Sequence, residues 1–337
     1  MYTDFYKFSG LPFQLTPDAR FFFGSSGHTK AMAHLTYGLG QGEGFIIITG
    51  DVGAGKTTIV EHLLHELDSR KYVAAKVTNT QLGADDTLRM VASAFGIPQE
   101  GTDKATLLRR FESFLLRTHQ QGQRALLIID ECQNLSVQAL EELRMLSNLH
   151  VEGRTPLQSF LLGQPQFRET LGRADLDQLR QRVIASYHLG PLDGTETRRY
   201  IEHRLRTVGW ESDPRFDDGV FTAIHRHCGG VPRMINTLCS RLLLFGFLED
   251  RHELTEADVD EVARDLEQEL LRVTAPKANG SHKAGAQPEA HADAAATNGY
   301  GELVDRMTVL ESYVRSHDRT IRRVLKIAAD FLDGRRS

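Results

Sequence analysis

Nine residues, Gly50, Asp51, Val52, Gly53, Ala54, Gly55, Lys56, Thr57 and Thr58, read GDVGAGKTT. They fit the spacing G-x-x-x-x-G-K-T, with an added glycine at 53. Glycines at this spacing let a loop curl until its backbone N–H groups point inward at phosphate oxygens. A helix starting near Lys56 adds its positive end. The Lys56 ammonium is suited to the β- and γ-phosphates of a nucleoside triphosphate, and the Thr57 hydroxyl to a Mg²⁺ ion.

A second group lies in LLIIDE, Leu126 to Glu131. An apolar strand there carries two acids at its C-terminal end, where open α/β sheets bind ligands. Asp130 is suited to hold a Mg²⁺-bound water, and Glu131 to polarise an attacking water as general base. The acid pair points to hydrolysis rather than static binding. A third group is cationic. Arg180 and Arg182 lie in QLRQRV just before a strand candidate, and Arg233 lies in GGVPR at the start of a helix candidate. A planar, multiply donating guanidinium matches a γ-phosphate. Either Arg180 or Arg182 could act across a subunit interface, and Arg233 could report on nucleotide from a neighbouring helical unit. For each arginine, a surface ion pair is an equal alternative.

These groups need a frame to hold them. Apolar runs at 45–50, 72–78, 124–130, 157–163 and 186–192 alternate with helix-like segments at 56–70, 84–96, 104–121 and 136–150. Such alternation predicts a parallel five-stranded sheet with helices on both faces. After Pro191 it stops. Segments 195–209, 217–228, 232–249 and 255–271 all read as helices, with Thr195, Asp217 and Thr255 as N-caps and Pro232 in a first turn. The chain therefore divides into an N-terminal segment 1–44, an α/β core 45–192, a small all-helical lid 193–271, a flexible linker 272–300 rich in Ala, Gly and Pro, and a helix in 301–337. In that last helix apolar residues recur four and three apart from Leu303 to Phe331, as in a short coiled coil.

Composition excludes several classes. With net charge −5 over 337 residues there is no global basic signal for nucleic acid. Three cysteines without a CxxC pair fit buried thiols in a reducing compartment. No apolar run approaches the ~20 residues of a membrane span, and no secretion signal opens the chain. The expected location is cytoplasmic, with contact to the inner membrane made through partners. His225 and His227 lie two apart on a helix and so face different sides, which argues against a metal pair. Cys132 reads as a small buried residue.

Taken together, the glycine loop, the hhhhDE strand, the arginine before the fifth strand and the GxPR helix resemble the pattern of the AAA+ P-loop ATPases. More narrowly, five stretches resemble the ExeA/GspA-type general secretion ATPases: FYKFSGLPFQLTPDARFFFGSSGHTKAMAHLTYGL, GFIIITGDVGAGKTT, LLIIDECQNLS, FLLGQPQFRETL and LRQRVIASYHLGPLDGTETRRYIEHRL. The best-fitting subset is that associated with exosortase/PEP-CTERM exopolysaccharide loci. The resemblance spans about residues 1–270. It implies an oligomeric ATPase using ATP and Mg²⁺, an N-terminal segment packed over the adenine with Phe22, Phe23 and His28 nearby, and Gln164 in the sensor position where relatives carry Asn, Ser or Thr. Secretion members often continue into a membrane helix and a periplasmic peptidoglycan-binding domain. This sequence carries a linker and a coiled-coil-like helix instead, so the expectation is an accessory or assembly ATPase that meets an envelope or exopolysaccharide export protein through its C-terminal helix. The alternative is a DNA-associated ATPase of the TniB/MuB-like transposition-helper type, against which the acidic net charge counts.

Overall fold

The computed structural model describes residues 2–16, 18–78, 84–150, 153 and 155–274. A short helix α1 (Tyr2–Phe5) is followed by α2 (Ser26–Gln41), β1 (Gly44–Gly50), α3 (Lys56–Glu66), β2 (Tyr72–Val77), α4 (Ala84–Ala94), α5 (Lys104–Gln120) and β3 (Arg124–Ile129). Then come α6 (Val137–Leu146), β4 (Leu157–Gly163), α7 (Gln166–Leu171), α8 (Asp177–Arg180) and β5 (Val183–Leu189). The five strands form one sheet in the order β2-β3-β4-β1-β5, with every neighbouring pair parallel.

Every residue of β1 and β4 is buried, whereas β2 and β5 at the edges are partly exposed. Side chains alternate across the sheet as strand geometry requires. Phe45, Ile47, Leu127, Ile129 and Leu161 meet the helices α4, α5 and α6 on one face. Ile46, Ile48, Leu126, Ile128, Phe160 and Leu162 meet α2 and α3 on the other. Each such side chain contributes roughly 1.5–3 kcal/mol on burial. A one-residue slip of β1 would exchange its two faces, so burial on both sides fixes the register and hence the heights of the strand tips.

The fifth strand begins earlier than the expected 186–192. Val183 pairs with Phe45 and Leu189 with Gly50, and Pro191 has no N–H with which to extend the ladder.

Beyond the sheet lie α9 (Gly194–Thr207), β6 (Arg215–Phe216), α10 (Asp218–Cys228), α11 (Pro232–Leu248), β7 (Glu253–Leu254) and α12 (Glu256–Thr274). This unit is helical but not wholly so, because β6 and β7 pair in parallel. Asp193, not Thr195, caps α9: its carboxylate accepts from the Glu196 N–H at 2.7 Å and Glu196 reaches back to the Asp193 N–H, a full capping box. Asp217 caps α10, and Pro232 opens α11.

The N-terminal segment 1–44 does not act as one piece. Tyr2, Tyr6, Phe8, Phe13 and Phe21 are buried in the core of the helical unit with Ile201, Leu205, Ile224 and Leu242. The helix α2 instead packs on β1 and β5. Glu196 joins the two halves by accepting the Ser26 N–H at 2.7 Å. The helix α12 runs to Thr274, three residues into the expected linker 272–300; the rest of that linker and the coiled-coil-like helix expected at 301–337 lie outside the described residues. Among the described residues, no helix is long and apolar enough to cross a membrane.

Candidate functional site

The loop between β1 and α3 turns on two left-handed glycines, Gly53 (φ 82) and Gly55 (φ 101). Each is required twice over. A Cβ on Gly53 would lie 2.4 Å from the Arg233 Cβ, and one on Gly55 would lie 2.7 Å from the His28 Nε2. Gly50 is held by contact alone, since a Cβ there would meet the Leu189 carbonyl at 2.6 Å. Ala54 is buried beneath the turn. The Lys56 ammonium donates to the carbonyls of Gly50 (2.8 Å) and Asp51 (2.9 Å). Burial pushes the Lys56 pKa down, opposed by the charges of Glu131, Asp130 and Asp51. A buried ammonium bonded only to carbonyls is well placed to gain from an arriving polyanion.

The acid strand meets this loop directly. Thr57 Oγ1 donates to Asp130 Oδ2 at 2.7 Å, and Asp130 Oδ1 accepts the Glu131 N–H at 2.9 Å. The strand order explains the meeting: β4 lies between β3 and β1, so the tip of β4 separates the acids from the glycine loop. Gln164 occupies that tip, and its Nε2 donates to Glu131 Oε2 at 3.2 Å.

The cleft so formed has a volume of about 310 Å³, within the ordinary range for a small-molecule site. Its floor is Val52, Gly53, Gly55, Lys56, Thr57 and Thr58, with Glu131 on one side. The N-terminal segment walls it with Phe22, Phe23 and His28, and the helical unit with Arg233 and Asn236. The Arg233 N–H donates to the Gly53 carbonyl at 3.3 Å, so α11 rests on the loop itself. His28 is 7 % exposed; burial pushes its pKa down to about 4, with Glu196 acting in the other direction. Its Nδ1 lies 2.6 Å from the Ser25 hydroxyl, and the Ser25 Oγ also accepts the His28 N–H. Phe22 stacks on His62 with centroids 3.9 Å apart.

The residues present fit a Mg²⁺–triphosphate. The loop is a cradle that a Cβ at 53 or 55 would fill, Lys56 supplies a cation, and Thr57 with Asp130 forms the oxygen donor pair that Mg²⁺ takes. The sites foreseen in the sequence therefore meet in one place, with one exception. Arg180 and Arg182 lie before β5, at the opposite end of the sheet. Arg180 is bonded to the Leu171 carbonyl and to Asp177. Arg182 donates to the Ser147 carbonyl at 2.9 Å and has no carboxylate partner among the described residues.

Two groups escaped the sequence reading. Gln133, in the turn after the acids, donates through Nε2 to Glu131 at 2.5 Å. Its one signal was a polar residue two places past the acid pair. The other is a buried chain: Arg204 donates to the carbonyls of Pro12 (2.6 Å) and Gln14 (3.1 Å) and to the Tyr200 hydroxyl (2.9 Å), which in turn donates to Asn236. Arg204 lies 4.6 Å from the Phe21 ring centroid and straps the N-terminal segment to α9. Nothing in a run of helical arginines marks it. His225 is spent on Thr197 and His227 on Asp260, so they do not converge. Cys132 is fully buried with its thiol pKa raised by that burial.

Comparisons with known proteins agree with this geometry. Residues 39–171 match the family model of the AAA domain. Over 267 residues, 79 % of this chain, the sequence is 35 % identical to General secretion pathway protein A of Aeromonas hydrophila. The match takes in 48 % of that protein, so the chain spans about half the length of the curated relative. Among solved structures, Cdc6p from Pyrobaculum aerophilum superposes with a TM-score of 0.58 at 14 % identity, covering 77 % of this chain and 75 % of that one. The ADP form of the Aeropyrum pernix ORC2 protein gives 0.57 at 17 %, covering 76 % and 73 %. At such identities these two speak for the fold alone. Residues 39–171 form a P-loop AAA domain, on a chain similar in sequence to a general secretion pathway protein.

Proposed function

We propose that this protein hydrolyses ATP in the cleft, as an oligomer, and serves as an accessory or assembly ATPase of an envelope secretion or exopolysaccharide export system. The observation that carries the hydrolytic part is the 2.7 Å bond between Thr57 and Asp130, which closes the glycine loop and the acid strand around one small volume. Thr57 and Asp130 would hold a Mg²⁺ ion, which would supply neutralising charge to the phosphates. Lys56 exchanges its two loop carbonyls for phosphate oxygens. Glu131 accepts the proton of the attacking water, and Gln164 steadies that carboxylate from the neighbouring strand tip. Arg233, anchored by its own N–H to Gly53, ties the lid position to the state of the loop.

Arg182 is the better choice for an arginine acting in trans. Arg180 is already neutralised by Asp177, while the Arg182 guanidinium is held, among the described residues, by Ser147. The secretion part is supported by the 35 % identity to General secretion pathway protein A. The exopolysaccharide part rests on the sequence resemblance, and a partner bound through residues 301–337 rests on the coiled-coil-like spacing there.

Two measurements test the reading. The purified chain should release phosphate from ATP with Mg²⁺, and Glu131→Gln should keep nucleotide binding while turnover falls by ~100-fold or more. Undiminished turnover in that variant would remove Glu131 from the chemistry. ATP-loaded Glu131→Gln chain, used as bait with and without 301–337, should retain an envelope transport protein only when the full chain is present. Salt-sensitive retention of DNA instead would favour the transposition-helper alternative.

A further inference from the structure

Gln133 stands in the single turn, Cys132–Asn134, that follows the acid pair, and Glu131 enters that turn in the left-handed region with φ 54. Its amide is held at both ends. Oε1 accepts the backbone N–H of Gln164 at 2.9 Å, and Nε2 donates to Glu131 Oε2 at 2.5 Å. Chemistry forces this orientation. Exchanging the two ends would set an NH₂ against an N–H and a carbonyl oxygen against a carboxylate. Gln164 Nε2 donates to the same Oε2 at 3.2 Å. Two amides thus converge on one oxygen of Glu131, and neither of the two residues itself lines the cleft.

A glutamate side chain at a strand tip has three rotatable bonds, and fixing them opposes roughly 1.5–2 kcal/mol of rotamer entropy. Charge-assisted bonds of this kind are among the few contacts strong enough to do so. We propose that Gln133 is a positioning residue for ATP hydrolysis: it couples the main chain at the tip of β4 to the Glu131 carboxylate and holds that carboxylate turned toward the cleft. The proposal rests on the hydrolytic reading above and deepens it. Because Oε1 of Gln133 is bonded to the Gln164 N–H, movement at the β4 tip is passed to the base through the backbone as well as through the Gln164 side chain.

Two variants separate positioning from mere support. Gln133→Glu keeps the volume and the acceptor for the Gln164 N–H but turns the donor into a second carboxylate against Glu131. Gln133→Ala removes both contacts. Both should lower kcat by about tenfold or more at pH 8, with KM for ATP and affinity for a non-hydrolysable ATP analogue within about twofold of wild type. As pH falls toward 5, Gln133→Glu should recover relative to wild type, because one proton shared between the facing carboxyls restores a donor. Gln133→Ala should not recover. Lys56, Asp130 and Cys132 face the same acid and are unchanged in both variants. Wild-type kcat in either variant at pH 8, or parallel pH profiles for the two, would overturn the proposal. A wild-type chain that binds ATP and never turns it over would overturn the hydrolytic reading and this one with it.

Discussion

The two ends of the central sheet differ in what their side chains are bonded to. At the C-terminal tips, Lys56, Thr57, Asp130, Glu131, Gln133 and Gln164 come from three separate segments and engage one another or the loop they enclose. At the N-terminal end, Arg182 holds Ser147 among the described residues, beside a hollow lined by Glu43, Gly44, His150 and Thr155. The seven residues of β1 span the gap, about 20 Å at ~3.3 Å per residue. A side chain cannot cross that distance within one copy. The first end therefore gathers the groups to which the proposed hydrolysis assigns roles, and the proposed arginine from a second copy would add to them. At the second end, Arg182 has no carboxylate bonded to it among the described residues, although Glu43 lines the same hollow. On the oligomer proposed above, the difference between the two ends is what a second copy of the chain would make up.

The largest effect that could break this comparison is on turnover. Arg182→Ala should lose about 100-fold or more in ATPase rate while nucleotide binding by a dilute chain stays near wild type. Mixed with Glu131→Gln, itself inactive, it should regain activity, since some interfaces then hold an intact Glu131 and an intact Arg182. Full activity of Arg182→Ala alone, or no recovery on mixing, would leave the far end of the sheet without a part in the reaction.

A middle-sized effect sharpens the picture of the tips. Gly53→Ala carries both a left-handed φ and a Cβ–Cβ approach of 2.4 Å to Arg233, whereas Gly96→Ala, with φ 71, has nothing within 4 Å. The control should lose about 1–3 kcal/mol of stability from backbone strain. Gly53→Ala should lose more and should weaken nucleotide affinity as α11 is pushed off the loop. Equal losses by denaturant titration would show that the lid does not bear on the loop.

The smallest effect concerns His28, beside Gly55. Its folded-state pKa, pushed down to about 4, lies below the ~6.5 of an unfolded histidine. Between those values the unfolded chain binds more protons, so stability is present at neutral pH and is lost as pH falls through that window. Between pH 7 and 5.5 this amounts to about 1 kcal/mol. The melting temperature of His28→Gln should fall less steeply over that range than that of wild type, and an identical slope would mean that His28 titrates as though exposed.

Much of this was legible in the residues. The glycine loop, the acid pair and the apolar runs are contiguous stretches whose meaning depends on local geometry, so the spacing of Gly50, Gly55, Lys56 and Thr57 was enough to foretell a phosphate cradle, and five apolar runs a parallel sheet. Local signals also misled. Thr195 looks as good a cap as Asp193 until the reach of Glu196 is known, and a run from 186 looks like a strand until its partner β1 sets the register three residues earlier.

By itself the sequence determined the five strands of the sheet, most of the helices and the charged residues at the glycine loop and the acid strand, because these follow from propensity, periodicity and the chemistry of single residues. Only the tertiary structure decided who stands beside whom. The order β2-β3-β4-β1-β5 puts the tip of β4 between the acids and the glycine loop. That order brings Gln164 onto both Glu131 and Gln133, and a separate core takes the first aromatic residues of the chain in among its last helices. Such pairings span tens to hundreds of residues and are selected by the burial of whole faces, which no short stretch of sequence records.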